Sequence, residues 1–261
     1  MFLFAEGGGH HEPLIVEFIN HYLGPQYAIP WPTIMFVIAC ILTFLVIWIL
    51  KGKLSEDDPT DGQLTLEAGF LAIKDLVINV TGEKGFKYFP VVATFAVLIL
   101  VSNLMGLVPL FMAPTASVNV TMALGLTSFI YFNYIGIKEN GLWAYIAHFT
   151  GPKLPALMLP ITALIFLIEI VSTSIRPMTL GVRLFANMFA DEQLAVQIAN
   201  LAPPYTQILI PVVLMPLGVF VAFVQTLVFT LLSLIYISLV LPHDHGHGEH
   251  EVHGENAVAH A

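Results

Sequence analysis

Long apolar runs recur along the chain, set off by short polar breaks, and their lengths predict the elements. Residues 31–50, "WPTIMFVIACILTFLVIWIL", match the roughly 20 apolar residues that carry a helix across about 30 Å of hydrocarbon. Trp31 and Trp48 stand where interfacial anchors stand, and Lys51 and Lys53 close the span. A second span is predicted over 89–112, with Asn103 and Gly106 inside it. The uncharged stretch "APTASVN" turns the chain back into a third span over 120–137, and "KENGLWAYIAHFTGPK" reads as a polar loop. Two much longer apolar segments follow, over about 154–202 and 205–241.

Residues 63–80 break the pattern. Glu67, Lys74 and Asp75 share one face at spacings of seven and eight, while Leu64, Phe70, Leu71, Val77 and Ile78 lie elsewhere. That is an amphipathic helix, lying at the interface or against other helices. The two long segments pose a different problem. About 45 helical residues rise roughly 68 Å, more than twice the hydrocarbon thickness. A hairpin at Arg176-Pro177 would add a crossing and would turn without lysine, glycine or any loop signal. One strongly tilted helix with kinks at Pro160 and Pro177 is the expectation. The predicted fold is all-α: a polytopic membrane protein with about five embedded helices and one amphipathic interfacial helix, the last two spans long and strongly tilted. Residues 1–30 are expected as an extramembrane tail, 31–241 as the membrane domain and 242–261 as a His-rich, disordered cytoplasmic tail.

Composition narrows the class. With 57% hydrophobic and 10% charged residues and a mean hydropathy of +0.84, the chain is no ordinary soluble domain. The net charge of −9 argues against nucleic acid as a partner. Cys40 is the only cysteine, so there is no disulfide framework. The first segment lacks the basic start and long apolar core of a cleavable signal. All the lysines (Lys51, Lys53, Lys74, Lys84, Lys87, Lys138 and Lys153) fall in two regions that the layout puts on one face. The positive-inside rule then sets the N-terminus outside, and five crossings bring the C-terminus to the cytoplasm.

Candidate chemistry concentrates in "RPMTLGVRLFANMFADEQL", residues 176–194. On a helix Arg176, Arg183, Asn187 and Asp191 fall on one stripe, and Glu169 lies near it. The rise from Glu169 to Asp191 is roughly 33 Å, close to the thickness of the apolar core. An arginine at mid-membrane costs about 2.5–3.5 kcal/mol on insertion scales, so it must face water or an opposing charge. Small neighbours (Gly181, Ala186, Ala190) let another helix come close to Arg183. A guanidinium stays protonated, so it cannot relay a proton, but it can repel a cation and hold a carboxylate ionised. That suits a barrier between two conducting paths. Glu169 and Glu192 read as inlet and outlet groups, because burial can push a carboxylate toward its neutral form. Arg176, beside Pro177, serves equally as a structural salt-bridge residue, and the acids as its local partners. Gln225, the one amide in the apolar run over 208–241, is placed to bond across to the arginine helix.

No HExxH, GxSxG or P-loop pattern occurs, so catalysis and a bound cofactor are not expected of this chain. The tail "HDHGHGEHEVHGEN" carries metal-type ligands, but it reads first as a solvated low-complexity segment, and no metal site is assigned.

"TLGVRLFANM", with "IEIVSTSIRPMTL" before it, "VQTLVFTLLSLIYISL" after it and "SNLMGLVP" upstream, resembles subunit a of F-type ATP synthases across about residues 31–241. The resemblance implies a stator subunit of the membrane FO sector, in the cell's inner (plasma) membrane. It implies as partners a rotating c-subunit ring, peripheral-stalk b subunits, the remaining synthase subunits and membrane lipid. It implies two aqueous half-channels that pass protons to and from ring carboxylates. Arg183 then matches the essential arginine facing that carboxylate. Asn187 and Gln225 match positions lining the arginine region, Glu192 the acid of the outer half-channel, and Glu169 with Ser172 the inner one. Some members carry Gly in place of Asp191 and a His or Glu at the position of Gly218; "ADE" with Gly218 is similar to chloroplast-type sequences. This suggests that Asp191 supplies the second polar group of the outer path. The alternative function class is a self-contained ion or anion transporter in which Arg183 binds substrate; it calls for internal repeats, and no convincing repeat is found.

Overall fold

The computed structural model describes residues 14–23, 29–51, 59–108, 111–143, 145, 159–199 and 205–241, and every regular element among them is helical. In chain order these are α1 (Leu14–Leu23), α2 (Trp31–Lys51), α3 (Asp61–Thr81), α4 (Phe89–Met105), α5 (Val118–Asn140), α6 (Leu159–Ala199) and α7 (Tyr205–Val240). Short 3-10 turns, Glu83–Tyr88 and Pro114–Ala116, lead into α4 and α5. Five helices, α2, α4, α5, α6 and α7, are long and apolar enough to cross a membrane.

The boundaries follow from local chemistry. Thr60, extended ahead of α3, accepts from the Gln63 N–H through its hydroxyl, supplying one orphan donor with a partner. α3 ends at Gly82 (φ 71°) and α5 at Gly141 (φ 78°), each with a backbone N–H returning to the helix (2.8 Å to Ile78 and 2.9 Å to Ile137). α4 opens with Pro90 in its first turn, where a missing N–H costs nothing. It stops at Met105, short of the expected 112. At Gly106 the chain folds so tightly that a Cβ would lie 2.7 Å from the Ala113 Cβ, so the apolar run past Met105 is used in the turn rather than in the span. Likewise part of "APTASVN" is a 3-10 turn, and α5 begins at Val118.

α6 runs unbroken for 41 residues with Pro177 inside it, as the single-helix expectation required; the start of that segment at 154–158 lies outside the described residues. The helix is roughly 62 Å long and α7 roughly 54 Å, so neither fits upright within about 30 Å of hydrocarbon. α3 presents Gln63, Leu66, Phe70, Ile73, Val77 and Val80 inward at helical spacing and leaves Glu67 and Asp75 exposed. Its Val77 joins Tyr88, Val92, Phe132, Ile135, Leu234 and Ile237 in one apolar cluster, so α3 packs against the bundle. Leu64 and Leu71, expected to share in the apolar side, are exposed.

α1 has no counterpart in the sequence expectation, which left residues 1–30 as a tail. Ten residues offer too little periodicity to mark a helix. Its Val16 nonetheless packs against Ile34, Met35 and Ala39 of α2 and Met105 beyond. Asn20 bonds both the C=O (3.2 Å) and the N–H (3.0 Å) of Ile29, just ahead of α2.

In lipid, apolar contact between helices gains little over contact with acyl chains, so close backbone approach carries more of the packing. The crossing of α5 and α6 shows this. A Cβ on Gly125 would lie 2.6 Å from the Pro177 carbonyl oxygen, and one on Gly181 would lie 2.9 Å from the Thr121 carbonyl oxygen. A hydroxyl pair, Ser128 and Ser233 at 3.1 Å, joins α5 to α7 nearby. At the lysine-bearing ends, Glu139 of α5 accepts from Lys87 and Tyr88 (2.6 Å each), and Asn140 donates to the Val240 carbonyl at the end of α7 (2.7 Å).

Candidate functional site

α6 buries Thr173, Pro177, Leu180, Gly181, Leu184 and Met188, a seam at spacings of three and four. The polar stripe lies beside this seam. Because α6 is continuous, Glu169, Arg176, Arg183, Asn187 and Asp191 keep the helical register that the spacing predicted. Their surroundings differ from one end of the stripe to the other.

Arg183 and Asn187 are exposed, next to the buried Leu184 and Met188. Among the described residues no acid pairs with Arg183. Asn187 donates through Nδ2 to the Oε1 of Gln225 at 2.6 Å, which pins α6 to α7 one turn beyond the arginine. Gln225 is 3% exposed on α7, next to the buried Thr226, and its Nε2 has no partner among the described residues. Beside that bond opens a cavity of about 270 Å³, lined by Asn187, Asp191 and Gln225 with Phe220, Val221 and Val224. The Asp191 Oδ2 is buried there without a hydrogen-bond partner. Glu192 is half-buried and lies off this cavity.

The other end of the stripe is self-contained. Arg176 Nη2 lies 4.0 Å from Glu169 Oε1, and the guanidinium carbon sits 5.7 Å from the centre of the Tyr236 ring on α7. Ser172 is half-buried between them in sequence. Sequence spacing brings Arg176 and Glu169 together, but Tyr236 is invisible to it, because the register of α7 on α6 is a tertiary fact. The same holds for Asn103 of α4, whose Oδ1 accepts from Thr115 at 2.7 Å in the 3-10 turn. Among the described residues no group of three or more His, Cys, Asp or Glu converges as a metal site, and the His-rich tail lies outside them.

The family model described as ATP synthase A chain matches residues 33–238, nearly the whole helical bundle. The chain belongs to that family. Among similar proteins, ATP synthase subunit a of Aquifex aeolicus is 38% identical over 204 residues, covering 76% of this chain and 92% of its own. Subunit a 3 of Pelobacter propionicus is 36% identical over 242 residues, and subunit a of Geobacter sulfurreducens 35% over 237; each match covers 90% of this chain and 99% of the relative. The ATP synthase A chain match therefore runs from within α2 to within α7 and contains the whole polar stripe from Glu169 to Glu192 and Gln225.

Proposed function

We propose that this chain is the stator subunit a of the FO sector of an ATP synthase, and that it passes protons between two aqueous half-channels and the carboxylates of a c-subunit ring. The observation that carries this reading is Arg183, a permanent cation on an exposed face of a membrane helix with no acid of the described chain beside it. A charge of that cost calls for a counter-charge from outside. A ring carboxylate passing the α6 face would supply it.

Arg183 then separates the two paths. A cation arriving from either side is repelled, while a ring carboxylate that reaches the guanidinium is held ionised and must give up its proton first. The cavity at Asp191, with Glu192 next to it, serves the outer path. Glu169, Ser172 and Arg176 serve the inner one. Asn187 and Gln225 hold the helices on either side of the barrier. The membrane potential supplies about 2.3 kcal/mol per charge per 100 mV, and the barrier keeps it from dissipating without rotation.

With each of the five spans crossing once, the two ends of the bundle lie on opposite sides, and the lysine-bearing end is cytoplasmic. The proposed setting is the cell's inner membrane, with peripheral-stalk b subunits and the remaining synthase subunits as further partners. ATP chemistry belongs to those other subunits. The test is ATP-driven proton pumping by vesicles holding the whole complex. Arg183→Ala is expected to abolish it, and wild-type pumping by that variant would defeat the assignment.

A further inference from the structure

Pro177 stands inside α6 and carries no N–H, so the carbonyl of Thr173, four residues back, loses its helical donor. The Thr173 side chain adds to the deficit. Buried threonines elsewhere in the bundle return their hydroxyl to the carbonyl four residues back: Thr43 on α2 at 2.7 Å, and Thr226 and Thr230 on α7 at 2.8 Å each. Thr173 is 6% exposed, and its Oγ1 has no partner among the described residues. A donor and an acceptor of one residue are thus left over at the same point inside the bundle.

Contacts with α5 place that point. A Cβ on Gly125 would lie 2.6 Å from the Pro177 carbonyl oxygen, and one on Gly181 would lie 2.9 Å from the Thr121 carbonyl oxygen. Numbers rise along α5 as they fall along α6, so Ser128 comes level with residue 174. Thr173 continues the face of Pro177 and Gly181 at spacings of four. Ser128 continues that of Thr121 and Gly125 at four and three, and all six residues are buried. Thr173 and Ser128 therefore face one another a turn beyond the close crossing. Ser128 shares a hydrogen bond of 3.1 Å with Ser233 of α7, which is buried as well. Only one of these two hydroxyls donates in that bond, so the pair keeps a hydrogen and lone pairs unspent.

We propose that one ordered water is bound where α5, α6 and α7 meet, between Thr173 and the Ser128–Ser233 pair. It donates one hydrogen to the Thr173 carbonyl oxygen, accepts from the Thr173 hydroxyl and donates its other hydrogen to a serine oxygen. Three bonds are the usual complement of a buried water. Membrane helices that carry a proline re-satisfy the freed carbonyl through hydroxyls or water in the same way. The site goes beyond the proposed function. It lies on the buried face of α6, roughly 21 Å along the helix from Asn187 and the cavity there, so no ion step passes through it. Its role is to join the proline turn ahead of Arg183 to two neighbouring helices.

The test is a map of the intact complex at a resolution that shows ordered water. A single peak about 2.5–3.0 Å from both the Thr173 Oγ1 and the Thr173 carbonyl oxygen is expected. A junction without that peak, in a map that resolves other buried waters, overturns the proposal. Thr173→Val keeps the shape, removes the hydroxyl and supplies an independent reading. It strands the water, and is expected to lower the melting midpoint of the purified complex. Removing a dry, unpaired hydroxyl would do the opposite, so an unchanged or raised midpoint also overturns the proposal. Pro177→Ala returns an N–H to the Thr173 carbonyl and withdraws one of the water's partners. In that background the loss caused by Thr173→Val is expected to shrink by at least about half, and an equal loss in both backgrounds counts against the site. The pumping of Arg183→Ala bears on the ion path alone and leaves these outcomes unaffected.

Discussion

Arg183 and Asn187 lie one turn apart, yet the structure treats them differently. Asn187 is spent on Gln225, and the guanidinium has no hydrogen-bond or ion-pair partner among the described residues. A lysine could not stand in. Its ammonium is a compact charge that loses its proton readily when desolvated, so the barrier would become titratable. Arg183→Lys is therefore expected to lose most ATP-driven pumping although it keeps the formal charge, and near-normal rates would show that charge alone is enough. The amide bridge has a separate, smaller energy. A cycle through Asn187→Ala, Gln225→Ala and the double variant, read by unfolding of the purified complex, is expected to give a coupling of about 0.6 kcal/mol and no more than about 1.7. A coupling of zero would mean that the bond does not hold in the membrane. Much of this residue pattern was legible in the sequence. Spacings of seven and four put Arg176, Arg183, Asn187 and Asp191 on one stripe, and the isolation of Gln225 marked it as a cross-helix bonder. Tyr236 beneath Arg176, Thr115 against Asn103 and the apolar walls around Asp191 were not legible, since each depends on how separate helices are shifted along one another.

At the scale of elements, length gave away the spans, and local chemistry their ends. The 41-residue α6 was readable because nothing at Arg176-Pro177 signals a turn, and a proline can be carried inside a helix when neighbours accommodate it. What lies opposite that proline was not readable. Gly125 of α5 leaves the Pro177 carbonyl oxygen just enough room, and Gly181 does the same for Thr121 one turn on. Here glycine is a matter of space rather than backbone freedom. Gly125→Ala pushes a methyl against backbone that cannot swing aside, and is expected to cost about 1–3 kcal/mol and lower the melting midpoint of the purified complex. At Gly69, on the exposed face of α3, a Cβ would meet no atom within 4 Å. Its replacement by alanine is expected to be neutral or to stabilise by up to about 1 kcal/mol, from helix propensity alone. Matching losses at the two sites would mean that the close approach of α5 and α6 is not what the glycine at 125 serves.

Taken as a whole, the molecule is covered unevenly. Half of the most apolar window of α4 is buried within the chain, but only 11% of that of α6, the helix with the most polar groups. Its bare face carries Ile168, Val171, Ile175, Val182 and Phe189 beside the Arg183 edge, where the small Ala186 and Ala190 are exposed as well. Lipid would cover the apolar part of that face but gives Arg183 no anion at mid-depth, whereas a helix bearing a carboxylate satisfies both. α2 is the control: its exposed Ile41, Phe44 and Trp48 are apolar with no charge among them, as a lipid-facing surface should be. Photo-crosslinkers at Ala186 and Ala190 in the assembled complex are therefore expected to capture a small two-helix subunit with a mid-membrane Asp or Glu, and the same group at Phe44 is expected not to capture it. Lipid adducts alone from positions 186 and 190 would leave the Arg183 charge without its counter-ion and would count against the rotor-facing role of α6.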